Sequence, residues 1–195
     1  MKIIDAEKIS RRVRLLASLN EDPQVVRAIA GMEKALRGGN KILVFGNGGS
    51  ATQSSHFAAE MVNKFYSRRR ALPVLALSAD MANVTSIAND DEFQFVFSRQ
   101  VEAFAVKGDV ALGITTSGKS ANVLRALALA RERGMLTVAL AGSRVQELRA
   151  IPVDILVAVD AEDTPIIQEM HLFLLHAMAE TIEMNICGGK HVPIV

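Results

Sequence analysis

The sequence predicts an α/β fold, a three-layer αβα sandwich in which helices cover both faces of a parallel five-stranded sheet. Short apolar runs alternate with helical segments along the chain, a pattern that is typical of parallel sheets covered by helices. The length of 195 residues is enough for one domain with its own hydrophobic core. The expected strands are residues 41–45, 72–77, 110–115, 136–141 and 155–159.

Helical segments occupy most of the remaining chain. Two of them precede the first strand, since apolar residues at helical spacing run from residue 3 to 19 and then to 36, before Gly38-Gly39. Later helices are expected over residues 51–65, 92–105, 120–133 and 145–148, and Gly134 is expected to close the third of these. The last helix, residues 165–185, is almost wholly apolar and must therefore be packed on several sides.

We expect residues 1–195 to form a single domain. Residues 1–39 would be an N-terminal helical extension, residues 40–187 would hold the core and the long last helix, and the tail from Gly188 would be a loose end. Half of the residues are hydrophobic. That share suggests that more surface is buried than a monomer would bury, so we expect an oligomer.

The charges nearly balance, with 22 Lys and Arg residues against 21 Asp and Glu residues and a net charge of +1. This balance gives no reason to expect a nucleic-acid partner or an acidic membrane surface. The basic run Arg68-Arg69-Arg70 lacks interleaved aromatic residues and is expected to be a solvated turn. One cysteine, Cys187, excludes an internal disulfide, and no apolar run is long enough to span a bilayer. We therefore expect a cytoplasmic protein without a membrane partner.

A glycine-rich segment, Gly46-Asn47-Gly48-Gly49-Ser50, follows the first expected strand and leads into a helix. Glycines allow positive φ and close backbone approach, so amide groups at the start of the helix can point at an anion. The segment fits a phosphate or polyhydroxy ligand. The alternative is a turn that only reverses the chain, because such loops are common in α/β proteins.

Four hydroxyl residues surround a glycine in Thr115-Thr116-Ser117-Gly118-Lys119-Ser120, which ends the third expected strand. Open α/β sheets place their ligands at the carboxyl ends of strands, and a helix N-terminus favours anions. The segment predicts a phosphate cradle. The alternative is that Ser117 or Ser120 merely caps the following helix.

His56 and Glu60 are four residues apart on an expected helix, so they share one face and suit a metal site or an acid/base pair. In the last helix, Gln168 and His176 lie about 12 Å apart along the axis and face one cleft, but not closely. For each histidine the alternative is a core contact. The segment Asn89-Asp90-Asp91 is expected to close a loop and cap a helix that begins near Glu92.

These motifs together resemble the phosphoheptose isomerases of the sugar isomerase (SIS) domain family, which have a flavodoxin-like fold. The resemblance covers nearly the whole chain and rests on five motifs in order: residues 46–50, residues 56–60, Asn89-Asp90, residues 115–120, and residues 168–171 with His176. It implies an enzyme that interconverts sedoheptulose 7-phosphate and D-glycero-D-manno-heptose 7-phosphate, a step toward the heptose of bacterial lipopolysaccharide or other surface glycans.

The resemblance also implies roles for individual residues. Glu60 and His176 match the acid/base pair, because moving a carbonyl through an enediol needs one group at the carbon and one at the oxygen. The metal-binding positions, for Zn²⁺, are His56, Glu60, Gln168 and His176. The substrate-binding positions are Asn47, Gly48, Gly49, Ser50, Glu60, Asn89, Asp90, Thr115, Thr116, Ser117, Ser120 and Gln168. The family implies a homotetramer with sites at subunit junctions, and no nucleotide cofactor.

Two positions depart from the pattern of many relatives, since Ile166 and Lys64 stand where arginine is common. An ammonium group cannot offer the guanidinium fork, so substrate affinity or stereochemical preference is expected to differ. One alternative function is a non-catalytic SIS module that binds the bacterial replication initiator, but those relatives lack the catalytic Glu and His that are present here. Another is an isomerase or sensor for a different sugar phosphate.

Overall fold

A computed structural model describes residues 5–188 of the chain. The expectations for the Cys187 side chain and for the tail beyond Gly188 lie outside the described residues. Five parallel strands form one sheet in the order β2-β1-β3-β4-β5. The strands are β1 (Ile42–Gly46), β2 (Val74–Ala76), β3 (Val110–Thr115), β4 (Leu136–Ala141) and β5 (Ile155–Ala158). Each lies within an expected apolar run or one residue beyond it, so the predicted sheet is confirmed.

The chain leaves β1 in one direction to form β2 and then returns to the other side of β1 to form β3. Helices precede, connect and follow the strands: α1 (Ala6–Asn20), α2 (Pro23–Arg37), α3 (Gly49–Val62), α4 (Met81–Asp90), α5 (Ser98–Phe104), α6 (Ala121–Glu132), α7 (Gln146–Arg149) and α8 (Thr164–Cys187). Because the strand order reverses between β1 and β3, the carboxyl ends of these two strands flank the switch point of the sheet.

Alternate residues of each strand pack into two separate cores, because successive side chains of a strand point to opposite faces. Ile42 and Val44 of β1 lie in the core that also contains residues of α1, α2, α3 and α8. Leu43 and Phe45 lie in the other core, with residues of α5, α6 and α7. The three-layer αβα arrangement predicted from the sequence is therefore confirmed.

The expected helix over residues 92–105 is correct only in its second half, and the expected loop before it is wrong. Residues Met81–Asp90 form α4, Phe93–Phe95 form a short 3-10 helix, and α5 begins only at Ser98. The Asp80 carboxylate starts α4 by accepting hydrogen bonds from the amides of Ala82 (2.9 Å) and Asn83 (3.3 Å). No residue of α4 is buried. Val84, Ile87 and Ala88, which are at helical spacing, are only partly buried against the second core, so they form a short apolar stripe that the sequence analysis missed.

Helix α8 is the longest element, with 24 residues. It packs beside α1, α2 and α3, which explains its almost wholly apolar sequence. Within residues 5–188, no helix combines the length and the apolar character that crossing a bilayer requires.

Candidate active site

The glycine-rich loop after β1 and the hydroxyl loop after β3 meet at the switch point of the sheet. Together with α8 they enclose a cavity of about 70 Å³, lined by Asn47, Ser50, Ile114, Thr115, Thr116, Ser120 and Gln168. Six of these residues are polar, and they come from three separate segments of the sequence. A larger cavity of about 740 Å³ lies at the opposite edge of the sheet, near the amino ends of β3 and β4. Ligands of such sheets bind at the carboxyl edge, so the smaller cavity is the candidate site.

Two helices begin at the small cavity without a side-chain cap. Gly48 precedes α3 and Ser120 precedes α6, and at neither N-cap position does a side chain accept a hydrogen bond from the helix amides. The Ser120 hydroxyl instead lies 3.2 Å from the Thr115 hydroxyl. The capping alternative is therefore wrong for Ser120. Uncapped helix starts leave amide donors that favour an anion in the cavity.

Two glycines shape the entry to α3 for different reasons. Gly48 has φ of 54° and ψ of −122°, a conformation that side chains rarely adopt. At Gly49, a methyl group would collide with the side-chain amide of Gln168. Gln168 therefore lies in the cavity because residue 49 has no side chain.

Asn122 is a buried residue near the cavity that the sequence analysis missed. Its side-chain amide forms two reciprocal hydrogen bonds with Asn47, both 2.9 Å long. The Asn122 carbonyl oxygen also accepts a 2.9 Å bond from the amide of Val123. The signal that was available is its position, because Asn122 is in line with the apolar residues Ala126 and Ala130 of α6.

Helices α3 and α8 run side by side in the same direction. Gly49 of α3 lies against Gln168 of α8, and the Gln53 side chain donates a 2.7 Å hydrogen bond to the Gln168 carbonyl. Further along both helices, the imidazole of His56 reaches that of His176. Seven residues separate Gly49 from His56, so this second meeting point lies about 10 Å along α3 from the first.

At the second meeting point, His56, Glu60 and His176 form a compact cluster. The Nε2 atoms of the two histidines are 2.9 Å apart, and Glu60 Oε1 lies 3.1 Å from His56 Nε2 and 3.4 Å from His176 Nε2. Tetrahedral ligands about 2.0–2.1 Å from Zn²⁺ lie roughly 3.3 Å from one another. The spacing of the three atoms therefore fits a metal ion, and the cluster is a candidate metal-binding group.

The Glu60 carboxyl is the least exposed member of the cluster, with 15% of its side chain accessible. Burial raises its pKa above the ordinary value, while the facing imidazoles of His56 and His176 act in the opposite direction. Its second oxygen, Oε2, is buried and has no hydrogen-bond partner. A carboxylate with a raised pKa and an unused oxygen has the properties of a general base or a metal ligand.

The structure does not bring all of the expected site residues together. Asn89 and Asp90 end α4, where they are exposed and hydrogen-bonded to each other at 2.8 Å, and they do not line the cavity. Ser117 lies in the same loop as the cavity residues, and its hydroxyl accepts a bond from the Lys119 amide at 3.4 Å. Gln168 lies with the cavity, so its expected role as a fourth metal ligand stays a prediction.

Two other polar residues of α8 lie away from both meeting points. Glu169 forms a bidentate ion pair with Arg12 of α1. His171 is fully buried, and neither ring nitrogen has a close hydrogen-bond partner. Burial lowers the pKa of His171 to about 4, so the ring is neutral at ordinary pH.

The fold and the site define a class of protein that sequence comparison identifies independently. Residues 7–142 match the family model of the SIS domain. The phosphoheptose isomerase of Geobacter metallireducens is 49% identical over 162 residues, which are 83% of this chain and 85% of the relative. The phosphoheptose isomerase of Pelobacter propionicus is 45% identical over 176 residues, 90% of this chain and 93% of the relative.

Solved structures agree with the sequence comparison. The phosphoheptose isomerase of Neisseria gonorrhoeae superposes with a TM-score of 0.83 at 38% identity, covering 91% of this chain and 96% of that one. The phosphoheptose isomerase of Francisella tularensis superposes with a TM-score of 0.85 at 31% identity, covering 91% of this chain and 95% of that one. The chain therefore belongs to the phosphoheptose isomerase family of SIS domain proteins and is an isomerase. The resemblance stated from the sequence is confirmed.

Proposed function

We propose that the protein interconverts sedoheptulose 7-phosphate and D-glycero-D-manno-heptose 7-phosphate. The observation that carries this proposal is the pairing of two sites on one pair of helices. A small polar cavity with two helix N-termini suits a phosphate group, and a His/Glu/His cluster suits proton transfer at the other end of the sugar. The names of the relatives support the same substrate class.

In this proposal the cavity binds the 7-phosphate. The contacts come from the amides at the starts of α3 and α6 and from hydroxyl and amide side chains. The proposed substrate-binding residues are Asn47, Gly48, Gly49, Ser50, Thr115, Thr116, Ser117, Ser120 and Gln168, with Asn89 and Asp90 reaching the sugar from α4. A volume of about 70 Å³ accommodates the phosphate but not the heptose, so the carbon chain extends out of the cavity.

Glu60 and His176 are the proposed acid/base pair. Moving the carbonyl between C2 and C1 requires that one group exchange a proton with carbon while another exchanges a proton with oxygen. The raised pKa of Glu60 brings this carboxylate nearer to neutral pH, where a general base works best. His176 lies 3.4 Å from it and supplies the second group.

We propose Zn²⁺ as the metal held by His56, Glu60 and His176, with Gln168 as the fourth ligand. When bound, zinc would polarise the substrate carbonyl as a Lewis acid. The three clustered side chains would then orient the ion, and Glu60 keeps a second oxygen that is free of protein partners.

We further propose that residues 1–195 form one domain of a cytoplasmic homotetramer that serves bacterial heptose and lipopolysaccharide synthesis. An apolar groove between α1, α2 and α8 supports self-association, since Val26 and Phe173 expose large apolar side chains there. Subunit junctions would then complete the active sites. No nucleic-acid or membrane partner is proposed.

Proton NMR of sedoheptulose 7-phosphate in D₂O tests the function, as isolated and after chelation. We expect the aldose to appear, with solvent deuterium at C2. Glu60→Gln and His176→Gln should each lower turnover at least ~100-fold. Glu147→Gln, which removes an exposed carboxylate of α7, is the control and should retain full turnover. If neither aldose nor exchange appears with zinc restored, another sugar phosphate or the non-catalytic module becomes the better function.

A further inference from the structure

The basic run after α3 is not the solvated turn that its composition suggested. The side chain of Arg69 is only 2% exposed, and its partner Glu183 on α8 is only 3% exposed. Arg69 Nε donates a 2.7 Å hydrogen bond to Glu183 Oε2. Arg68 and Arg70, on either side, are exposed. A charged pair with this degree of burial forms only where other contacts compensate both groups.

Glu183 obtains that compensation from the backbone of the segment that follows α3. Its two oxygens accept hydrogen bonds from the amides of Phe65 (2.9 Å), Tyr66 (2.8 Å) and Ser67 (2.7 Å). Burial alone would raise the pKa of Glu183, but these amides and Arg69 lower it below its ordinary value. The segment is therefore wrapped around an ionised carboxylate of α8.

Arg69 obtains its compensation from the end of α3. Its guanidinium donates to the carbonyls of Glu60 (2.9 Å) and Met61 (2.8 Å), and to that of Arg70 (3.0 Å). The last carbonyls of a helix lack partners within the helix, so Arg69 acts as a cap for this turn. The turn that it caps includes Glu60, whose carboxyl belongs to the His/Glu/His cluster.

The same segment also contacts the second proposed acid/base residue. The ring of Phe65 lies 5.8 Å from the ring of His176, measured between centroids. Glu183 follows His176 by seven residues, which places both side chains on the same face of α8. One ion pair thus connects the turn that holds Glu60, the ring that touches His176 and the helix that carries His176.

We propose that Arg69 and Glu183 are positioning residues that hold Glu60 and His176 at their mutual distance for catalysis. The inference rests on the proposed function of that pair. A buried ion pair contributes little to stability compared with apolar residues of similar size, so its contribution here is the fixed geometry. Neither side chain touches the cluster directly, and both act through the backbone and through Phe65.

The guanidinium group is essential to this role. It uses four donors at once, one toward Glu183 and three toward backbone carbonyls. A lysine ammonium keeps the charge but cannot spread its donors across a planar fork. Arg69→Lys should therefore keep the segment folded while loosening the turn of Glu60.

The test compares Arg69→Lys and Glu183→Gln with the wild type. We expect kcat to fall about 10- to 100-fold in each, the usual range for residues that orient ligands, with KM within about twofold. Arg99→Lys, in the exposed pair of Arg99 with Glu102, is the control and should change neither constant. Thermal unfolding should show both variants folded at the assay temperature. Unchanged kcat in a folded Arg69→Lys protein would overturn the proposal.

A second readout does not need turnover. The chain has four histidines, so ¹⁵N-detected ring signals can be followed one by one in the free protein. The proposal expects the signals of His56 and His176 to move in Arg69→Lys while that of His171 stays. Unchanged positions of the His56 and His176 signals would overturn the proposal, even if the wild type proved inactive on heptose phosphates. If Glu183→Gln unfolds, Phe65→Leu replaces it, and the His176 signal must move there too.

Discussion

Asn122 holds the side chain of Asn47, one of the proposed substrate-binding residues. Its amide holds Asn47 through two reciprocal 2.9 Å hydrogen bonds, and its carbonyl oxygen also binds the Val123 amide. The pair therefore ties the loop after β1 to the start of α6. Both segments line the proposed phosphate cavity, so we expect a substitution of Asn122 to weaken the binding of the phosphate.

Asn122→Leu should raise KM for the sugar phosphate roughly tenfold. The leucine leaves the partly buried Asn47 amide without its partner, and an unpaired polar group costs up to about 1–3 kcal/mol where it is buried. Steady-state kinetics with a thermal unfolding curve would measure both effects. Asn122→Asp is the matched control, because it keeps the acceptor for Asn47 and Val123 and should lie between the leucine variant and the wild type. Equal KM in all three proteins would contradict the role of the pair.

Helix α3 begins at two glycines, Gly48 and Gly49, and each is required for a different reason. Gly48 is required by the backbone, since its φ is positive and no atom lies within 4 Å of an added methyl group. Gly49 is required by a neighbour, since the methyl group would meet the Gln168 amide. Because the reasons differ, we expect the two glycine substitutions to affect different properties, stability in one case and substrate binding in the other.

Gly48→Ala should lower stability, and Gly49→Ala should weaken substrate binding. A side chain at Gly48 strains the backbone by about 1–3 kcal/mol, which lowers Tm. At Gly49 the displaced atoms belong to a flexible side chain, so the fold tolerates the change, but Gln168 leaves the cavity and KM rises. Calorimetry and kinetics on the two alanine variants would separate these effects. If Gly48→Ala raised KM and Gly49→Ala lowered Tm instead, the reasons given for the two glycines would be contradicted.

The sheet and the two loops that line the cavity could be predicted from the sequence because these features are local. The apolar runs of β1 and β3 and the loop motifs after them are visible within a few residues. Pairings such as Asn47 with Asn122 and Arg69 with Glu183 join residues 75 and 114 positions apart, and no local pattern encodes them. Helix α4 was missed for another reason, since its apolar residues Val84, Ile87 and Ala88 form only a short and partly buried stripe beside the Asp80 cap.

Three buried ionisable groups, His171, Glu183 and Asp109, make the stability of the whole molecule depend on pH. Burial lowers the pKa of His171 to about 4, whereas the pKa values of Glu183 and Asp109 fall below their usual range despite burial, because hydrogen bonds favour the charged forms. In the unfolded chain, His171 takes up a proton near pH 6.5, and in the folded protein it does so only near pH 4. Protonation therefore favours unfolding throughout this window.

The free energy of unfolding should fall by up to about 3 kcal/mol as pH drops from 6.5 to 4, with His171 as the source. From about pH 4.5 for Glu183 and 3.8 for Asp109 downward, the two carboxylates add a further loss. Chemical denaturation at several pH values would measure the slope. His171→Leu should flatten it between pH 6.5 and 4, whereas Asp109→Asn should leave that part of the slope in place. An unaltered slope in the leucine variant would contradict the assignment to His171.

Because α3 and α8 run in parallel, the cavity and the His/Glu/His cluster lie at a fixed distance from each other. The cavity beside Gly49 and the cluster at His56 are about 10 Å apart along α3, so under the proposed function a substrate must have a chain long enough to reach from one to the other. A three-carbon ketose phosphate would fill the cavity but leave its carbonyl short of Glu60. We expect such a molecule to inhibit competitively without being turned over, which inhibition kinetics and NMR would show. Under the proposed function, the number of helical turns between the two contacts would thus set the number of carbons that the enzyme accepts.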